Sequence, residues 1–345
     1  MRPFISIIFS VFLFTPLLSW AQNLNGVEKV NGVEKINGVS FVATNQTLNS
    51  SDLNPVKDIN ANWITVMPFG FIRPNSAEVL YNSNYQWKGE TVAGIKQTIR
   101  LAHQQQLKVM LKPHVWMRNQ WIGDLSFSTE EQWLIFENSY TNYILEFAKV
   151  AEELNVGIFA IGVELKKSAI LRPDFWRELS DKVRTVYSGK ITYAANWDNY
   201  NNVSFWDKLD YIGIDAYFPV ATAKTPSHDA FYAGWFSHYN AIKKFSYSQQ
   251  KKVIFTEFGY RNIDYTGKEP WNQAINSTFN SIAQVNAYSA IFSRFWGESW
   301  FLGGFLWKWF PQHAKSGGIN NNRFTPQNKP VEKAIKAFYT LTPPK

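Results

Sequence analysis

Two glutamates occupy equivalent places in two apolar segments of the chain. Glu164 follows the run IFAIGV, and Glu257 follows KKVIFT. If both segments are β-strands, alternation puts each Glu on one face with the small or apolar residues two and four places before it. Two carboxyl groups at two strand ends could act on one substrate, one as a proton donor and the other as a nucleophile.

Such a pair suits the cleavage of a glycosidic bond. The reaction needs a proton for the leaving oxygen and a group that stabilises or attacks an oxocarbenium-like carbon. In retaining enzymes the two carboxyl groups lie about 5–5.5 Å apart, and one forms a covalent glycosyl-enzyme. Their environments must differ, so that one stays protonated while the other is ionised. Glu164 and Glu257 are therefore a candidate catalytic pair.

Each glutamate also has an ordinary interpretation. Glu164 could pair with Lys166 or Lys167 at a helix start, and Glu257 could pair with Arg261. For one isolated Glu, a surface ion pair of this kind is the simpler explanation. Two glutamates at equivalent strand ends favour catalysis.

These glutamates belong to a regular alternation of strand-like and helix-like stretches. Eight β-rich runs are predicted as strands, at residues 38–43, 63–71, 108–116, 158–165, 190–197, 211–219, 251–260 and 301–310. Helical periodicity separates them, at 91–106, 130–154, 172–187, 231–245, 272–298 and 331–341. The helix between strands five and six, at 199–209, has the weakest pattern.

Eight strand–helix units in about 300 residues predict a single-domain (β/α)8 (TIM) barrel. A doubly wound sheet is the main alternative, but no G-x-G-x-x-G turn follows the first strand. Catalytic groups of a barrel lie at the C-terminal ends of its strands. Glu164 and Glu257 would then end strands four and seven, nearly opposite each other across one mouth.

Strands three and six offer candidate substrate-binding residues. Lys112, His114 and Trp116 share one face of strand three, and Asp215 and Tyr217 share one face of strand six. The Tyr217 hydroxyl could orient the carboxylate of the nucleophile. Two alternatives stay open: Lys112 and His114 as a buried polar pair, and Asp215 as a structural partner of Lys112.

Strands five and eight end in further candidates. Asn196 follows small residues and could bind a sugar hydroxyl, while alternation directs Trp197 to the other side. Strand eight ends in Trp307-Lys308-Trp309, with both Trp rings predicted on one face. We expect both to contact substrate, with Trp309 equally explained as core.

Six segments give the chain a resemblance to the retaining (β/α)8 glycoside hydrolases of clan A, and most of all to glycoside hydrolase family 113. They read KPHVW at 112–116, IGVE at 161–164, ANW at 195–197, IDAY at 214–217, TEFG at 256–259 and GFLWKW at 304–309. The resemblance implies endo-β-1,4-mannanase activity, Glu164 as acid/base and Glu257 as nucleophile. It also implies that Trp307 forms the floor of the subsite that binds the scissile sugar.

The chain departs from the clan at one position. Many clan members carry Asn directly before the acid/base, where it binds the sugar 2-hydroxyl, whereas this chain has Val163. Family 113 is similar in lacking this Asn, which favours it over the cellulase-like families.

The first residues predict export. Met1-Arg2 precede an apolar run over residues 4–18, and Ser19-Trp20-Ala21 is typical of a cleavage site. We expect a signal peptide at residues 1–21, rather than an uncleaved anchor, and a secreted or periplasmic protein with no membrane segment in its mature form. The chain contains no Cys, which excludes thiol chemistry and disulfides.

The rest of the chain is predicted to consist of two parts. Residues 22–37 include the repeat NGVEKV-NGVEKI and are predicted as a flexible N-terminal segment, and residues 38–345 as the catalytic barrel. The formal charge is +8, but the basic residues are scattered, so no nucleic-acid partner is expected. The 15 Trp, 16 Tyr and 27 Phe residues fit a core plus a cleft in which flat rings stack on sugars.

We therefore expect a monomeric enzyme that acts on a β-linked polysaccharide or oligosaccharide without metal or cofactor. Five dispersed His residues and the absence of H-E-x-x-H argue against a zinc site. An exo-β-mannosidase or a β-glucanase would use the same pair. A non-catalytic sugar-binding barrel would lose one carboxyl group, and a chitinase-like barrel would need a D-x-x-D-x-D-x-E motif.

Overall fold

Eight parallel strands close into a barrel, as predicted. The structure is a computed structural model and describes residues 34–341. The barrel strands are β1 (Ile36–Phe41), β2 (Trp63–Val66), β5 (Lys108–Leu111), β7 (Ile158–Val163), β8 (Lys190–Asn196), β9 (Ile212–Asp215), β10 (Val253–Phe258) and β11 (Phe301–Trp309). Around the barrel their order is β1-β11-β10-β9-β8-β7-β5-β2, closed by the pairing of β1 with β2.

A small second sheet extends the wall above β2 and β5. Its strands are β3 (Phe69–Ile72), β4 (Val79–Leu80) and β6 (His114–Met117), in the order β4-β3-β6. Two predicted strands, 63–71 and 108–116, each run through a barrel strand into this sheet. They break at Pro68 and Pro113, because proline has no N–H to donate to a strand ladder. The break places His114 and Trp116 on the small sheet.

Helices pack around the barrel. They are α1 (Asn54–Asp58), α2 (Val92–Gln104), α3 (Glu130–Glu153), α4 (Lys166–Leu171), α5 (Pro173–Arg184), α6 (His228–Gly234), α7 (Phe236–Gln249), α8 (Ser281–Phe295) and α9 (Pro330–Leu341). Thr91 and Thr129 cap α2 and α3 by accepting a bond from a first-turn N–H. None of the helices in residues 34–341 is long and apolar enough to cross a membrane.

Three helix predictions differ from the structure. The predicted helix 231–245 is interrupted at Trp235, between α6 and α7. The predicted helix 272–298 begins only at Ser281, because the Asn280 side chain accepts a bond from the N–H of Ala283 and caps α8 there. Residues 199–209 contain two short 3-10 turns instead of an α-helix.

The barrel starts earlier than predicted. Ile36 and Asn37 were assigned to the flexible segment, but they belong to β1 and are 5% and 0% exposed. Lys35 is also buried and donates to the carbonyl of Glu298 at 2.6 Å. Ile36 and Asn37 pair with Gly303 and Gly304 of β11, so the barrel begins two residues before the predicted boundary at residue 38. Residues 1–33 and 342–345 lie outside the described residues.

Apolar packing occurs on both sides of the barrel wall. A large cluster lies between the strands and the helices, with Ile95 and Ile99 of α2 among its members. A smaller cluster fills the N-terminal end of the barrel; it comprises Ile36, Trp63, Met110, Ile158, Ile254, Leu302 and Phe305. The base is therefore closed by side chains, and the opposite end, where the strands terminate, is free to form a site.

Candidate active site

Glu164 and Glu257 line one cleft at the C-terminal ends of the strands. The cleft has a volume of about 740 Å³. Glu257 is the fifth residue of β10, and Glu164 is the first residue after β7. The two carboxyl groups that the sequence singled out thus lie within reach of each other's charge.

Glu164 leaves its strand through an unusual backbone conformation. Its φ is +51°, in the left-handed region that non-glycine residues seldom adopt. The backbone N–H of Glu164 still donates to the carbonyl of Ala194 at 2.8 Å, which ties it to β8. One carboxylate oxygen, Oε2, accepts a bond from the indole Nε1 of Trp121 at 3.0 Å. Both features hold the carboxyl group at the cleft wall.

Glu257 is held at both carboxylate oxygens. Lys112 Nζ donates to Oε1 at 2.6 Å, and the Tyr217 hydroxyl donates to Oε2 at 2.7 Å. His114 Nε2 lies 3.8 Å from Oε1. The predicted role of Tyr217, to orient this carboxylate, therefore has a geometric basis.

A buried ion pair lies directly beneath Glu257. Lys112 Nζ is 2.8 Å and 3.1 Å from the two oxygens of Asp215, and both side chains are fully buried. Thr256 Oγ1 donates a further bond to Asp215 at 2.7 Å. Burial acts to lower the pKa of Lys112, but the charges and hydrogen bonds of Asp215 and Glu257 outweigh it and raise that pKa. The ammonium group is therefore charged.

The two glutamates differ in proton affinity. Burial, and then the negative charges of Asp215 and Glu257, raise the pKa of Glu164 to about 8. Burial and Asp215 also raise the pKa of Glu257, but Lys112 and Tyr217 oppose them and limit it to about 7. Between these values the pair carries its proton on Glu164 and its charge on Glu257, the condition for acid and nucleophile.

Neither glutamate forms the ion pair with a sequence neighbour that was considered as the alternative to catalysis. Lys166 pairs with Asp198 at 2.6 Å, and Lys167 pairs with Asp124 at 3.3 Å. Arg261 donates to backbone carbonyls, among them that of Ile275 at 2.8 Å. The cationic neighbours in sequence are thus engaged elsewhere, and the cation that contacts Glu257 comes from a distant strand.

Rings surround the nucleophile side of the cleft. His114 and Trp307 both line it, with ring centroids 6.1 Å apart, and Phe69 lies 5.0 Å from His114. Burial, and the charges of Lys112 and Lys308, hold the pKa of His114 well below its usual range, so the ring is neutral. Trp116 also lines the cleft and is 50% exposed.

Strand β8 contributes both a polar and an aromatic group. Asn196 lines the cleft and donates to Asp198 at 2.8 Å. Trp197 lines it as well, so the expectation that it points away was wrong. Strand alternation stops applying at Asn196, where β8 ends and the chain turns. Trp197 stacks on Trp271, with ring centroids 4.9 Å apart and planes at 25°.

Three of the expected substrate-binding residues do not line the cleft. Lys112 and Asp215 lie beneath Glu257 as a buried pair, the alternative considered for Asp215. Trp309 is fully buried in the large cluster between strands and helices. The pairing of β11 with β1 shifts by one residue between Leu306 and Trp309, so Trp307 and Trp309 do not share a face. Lys112 and Asp215 are therefore reassigned to the support of Glu257, and Trp309 to the core.

Several cleft residues were not predicted from the sequence. Trp121, Trp271 and Phe324 line the cleft, and all three lie in loops outside the strand pattern. The high Trp content was a general signal for such a cleft, but no spacing distinguished these rings from core residues.

Comparison with known proteins identifies the family to which the chain is similar. The sequence model of Glycoside Hydrolase Family 113 matches residues 41–329. The chain is similar to the family 113 β-mannanase of Alicyclobacillus acidocaldarius, solved in complex with ManMIm, with a TM-score of 0.79 and 24% identity over 91% of this chain and 100% of that one. A second family 113 β-1,4-mannanase, also solved as a complex, gives a TM-score of 0.76 and 25% identity over 89% of this chain and 99% of that one.

More distant similarity extends to larger enzymes. A β-glucuronidase of Faecalibacterium prausnitzii gives a TM-score of 0.60 and 14% identity, with 90% of this chain covering 49% of that one. At this identity the likeness shows the barrel fold alone. No curated protein matches the chain.

Proposed function

This chain belongs to glycoside hydrolase family 113, and on that basis we propose that it is a retaining endo-β-1,4-mannanase acting on mannan or glucomannan. The observation that carries the proposal is the difference between the two cleft glutamates. Lys112 and Tyr217 bind Glu257 alone, whereas Trp121 binds Glu164. The solved family 113 enzymes to which the chain is similar are described as β-mannanases.

In the first step, a carboxylate oxygen of Glu257 attacks the anomeric carbon of the scissile sugar. The bond from that carbon to the leaving oxygen breaks, and the proton of Glu164 moves to this oxygen. The product is a covalent glycosyl ester of Glu257. Because burial raises the pKa of Glu164 to about 8, it enters this step protonated at neutral pH.

In the second step, Glu164 works in the opposite direction. Now ionised, it takes a proton from a water molecule, whose oxygen attacks the anomeric carbon and releases the carboxylate of Glu257. Lys112 and Tyr217 stabilise that returning charge through their bonds to Oε1 and Oε2. The sugar leaves with its original anomeric configuration.

The substitutions Glu164→Ala and Glu257→Ala test the proposal. Each should lower turnover of β-mannan by a factor of about 10²–10⁴ or more, since each removes a group that acts in the transition state. The fold should persist, as checked by circular dichroism and thermal unfolding. Near-wild-type turnover by either variant would refute the assignment.

Azide separates the two roles. On an activated aryl β-mannoside, azide should restore the activity of the Glu164→Ala variant and give the β-glycosyl azide, because the nucleophile Glu257 is still present. For Glu257→Ala it should give the α-azide by direct displacement. The reverse pattern would exchange the two roles.

A product profile decides between this activity and its alternatives. Mannan, glucomannan, cellulose and xylan would be compared as substrates. Oligosaccharides from mannan are expected, whereas mannose alone would indicate an exo-β-mannosidase, and products from cellulose a β-glucanase. Binding of mannan without products would indicate the non-catalytic sugar-binding barrel, which both retained carboxyl groups disfavour.

We further propose that the protein is exported with residues 1–21 removed and acts as a monomer. The support for export is the sequence pattern of residues 1–21, which lie outside the described residues. Intact mass of the protein recovered from the medium or periplasm would give the cleavage site, and light scattering its oligomeric state.

A further inference from the structure

Lys329 is a buried lysine that binds two uncharged acceptors in the loop between β11 and α9. It directly precedes α9 and is 3% exposed. Its Nζ donates to the backbone carbonyl of Arg323 at 2.7 Å and to the side-chain oxygen of Asn321 at 3.3 Å. Burying an amine is costly unless its hydrogen bonds compensate for the lost water. These contacts indicate that the lysine holds residues 321–323 in place.

The residues that Lys329 binds form a tight turn. The side-chain oxygen of Asn321 also accepts a bond from the backbone N–H of Arg323 at 2.9 Å, the pattern of an Asx turn. The Asn262 side chain donates to the carbonyl of Asn321 at 3.2 Å. Because Lys329 joins the side chain of Asn321 to the carbonyl of Arg323, it fixes the direction in which the chain leaves the turn.

Phe324 is the next residue after this turn and lines the cleft. It is 6% exposed, and its ring packs edge-on against that of Tyr217, with centroids 5.8 Å apart and planes at 64°. A Cβ added at Gly259 would lie 3.3 Å from Phe324 Cδ1, so the ring has little free space on that side. The direction of the chain at residue 323 therefore determines where the Phe324 ring meets Tyr217.

Tyr217 connects this packing to the nucleophile. Its hydroxyl donates to Glu257 Oε2 at 2.7 Å. Burial, and then Asp215, raise the pKa of Glu257, and the bond from Tyr217 is one of the contacts that oppose them. A hydrogen bond weakens steeply as its angle departs from linear. A small rotation of the Tyr217 ring therefore changes how readily Glu257 ionises.

We propose that Lys329 and Phe324 are positioning residues for the nucleophile Glu257. Lys329 fixes the turn, Phe324 packs against the Tyr217 ring, and the Tyr217 hydroxyl holds the carboxylate in place for attack on the anomeric carbon. This inference rests on the proposed function. It gives a part in the reaction to a lysine that does not itself line the cleft.

Lysine suits this position because its amine donates in either protonation state. Burial, and then the positive charge of Arg261, lower the pKa of Lys329 to about 7. A neutral amine retains two N–H groups, and the turn offers two acceptors. The contacts with the turn therefore persist on both sides of pH 7.

Covalent trapping of the nucleophile tests the proposal. The probe is a β-mannobiosyl fluoride with fluorine in place of the 2-hydroxyl of the attacked sugar. Its C1–F bond breaks as the ester to Glu257 forms, and the fluoride ion leaves with little need for a proton from Glu164. Labelling therefore reports the ionisation of Glu257 by itself.

Lys329→Met keeps the length of the side chain but removes its donors. It should slow labelling below pH 7 by about threefold to tenfold, because a weakened bond to a charged group raises the pKa of Glu257. The pH at which labelling reaches half its maximum rate should rise accordingly. Phe324→Leu, which removes the ring, should act in the same direction.

A double-mutant cycle identifies the route of the effect. In the Tyr217→Phe background, which lacks the hydroxyl, Lys329→Met should cause no further slowing and no further pH shift. An undiminished effect in this background would show that the lysine acts through its charge or through the fold, and would refute the proposal. Unchanged labelling of the Lys329→Met variant alone would refute it as well.

Lys35→Met is the matched control, since it removes a buried lysine that also binds backbone carbonyls but directly precedes β1. It should be labelled as fast as the wild type. Thermal unfolding checks each variant, and if Lys329→Met does not fold, the cycle of Phe324→Leu with Tyr217→Phe decides the proposal. A wild type that the probe does not label at Glu257 would overturn the proposed function, and this inference with it.

Discussion

Lys112 determines the charge balance of the site. It is fully buried between two carboxyl groups, those of Asp215 and Glu257. Two negative charges that share a buried site raise each other's pKa, unless a cation compensates them. Removing a buried cation therefore changes the protonation of the group that remains, as well as the stability of the fold.

We predict a bell-shaped dependence of kcat/KM on pH, with the two carboxyl groups titrating as a pair. The rate should rise through about pH 7 as Glu257 ionises, and fall above about pH 8 as Glu164 loses its proton.

Lys112→Met should raise the pKa of Glu257, by about one to three units for the loss of an adjacent opposite charge. The lower limb then moves to higher pH, and the maximum rate falls. Initial rates on a mannan oligosaccharide between pH 4 and 10 measure both effects.

Lys35→Met is the matched control. Lys35 is also a buried lysine, but it binds the backbone carbonyls of Glu298 and Phe301 beside the start of β1. Its loss should reduce stability without moving either limb. A lower limb unchanged by Lys112→Met would show that Lys112 does not set the ionisation of Glu257.

At the scale of elements, the loops after β10 and β11 contribute Trp271, Asn272, Gln273 and Phe324 to the cleft, and Arg261 connects the two loops through hydrogen bonds. Arg261 is 3% exposed. It donates to Asn272, Gln273 and Ile275 in one loop and to the carbonyl of Asn322 in the other. One guanidinium group thus binds four backbone carbonyls of the two loops.

Arg261→Met should loosen both loops while leaving the carboxyl pair in place. We expect a several-fold rise in KM on mannan with a smaller change in kcat, because the lost order affects substrate binding more than the reacting groups. Hydrogen exchange of residues 271–276 and 320–324 should become faster. Arg177→Met, which removes an ion pair with Asp207 on the outer surface, should change neither quantity. Unchanged exchange in Arg261→Met would contradict this role.

The elements also show where strand and helix patterns succeed. All eight barrel strands were predicted, because alternating or continuous apolar runs report burial directly. The patterns failed at element ends. Asn280 starts α8 well after the apolar pattern suggests, and Trp197 turns into the cleft once β8 has ended. An end is decided by a cap or a turn, which periodicity does not encode.

At the scale of the whole molecule, the barrel depends on close packing where β1 meets β11. Gly38 of β1 faces the Phe305 ring, and a Cβ added at Gly38 would lie 2.3 Å from Phe305 Cδ1. Phe305 is fully buried and packs edge-on against Trp63, with centroids 6.3 Å apart. The ring therefore has little room to move.

Gly38→Ala should lower the free energy of unfolding by about 1–3 kcal/mol, as expected for overpacking a core. This corresponds to roughly 2–4 °C in Tm per kcal/mol. Gly297→Ala is the control, since a Cβ there meets nothing within 4 Å, and its Tm should match that of the wild type. Thermal unfolding of both variants compares them. An equal Tm for the two would mean that the barrel interior adjusts freely at Gly38.

The sequence by itself determined the eight-stranded barrel and the two glutamates at the ends of strands four and seven, because strand periodicity is a local property that the chain carries in its order of residues. The tertiary structure alone decided that Lys112 lies beneath Glu257, that Trp121 reaches Glu164 and that Trp271 stacks on Trp197. Each of these contacts joins residues more than 40 positions apart, and such contacts depend on how the closed barrel brings its loops together. No spacing within one segment records that arrangement, so its prediction requires the packed molecule.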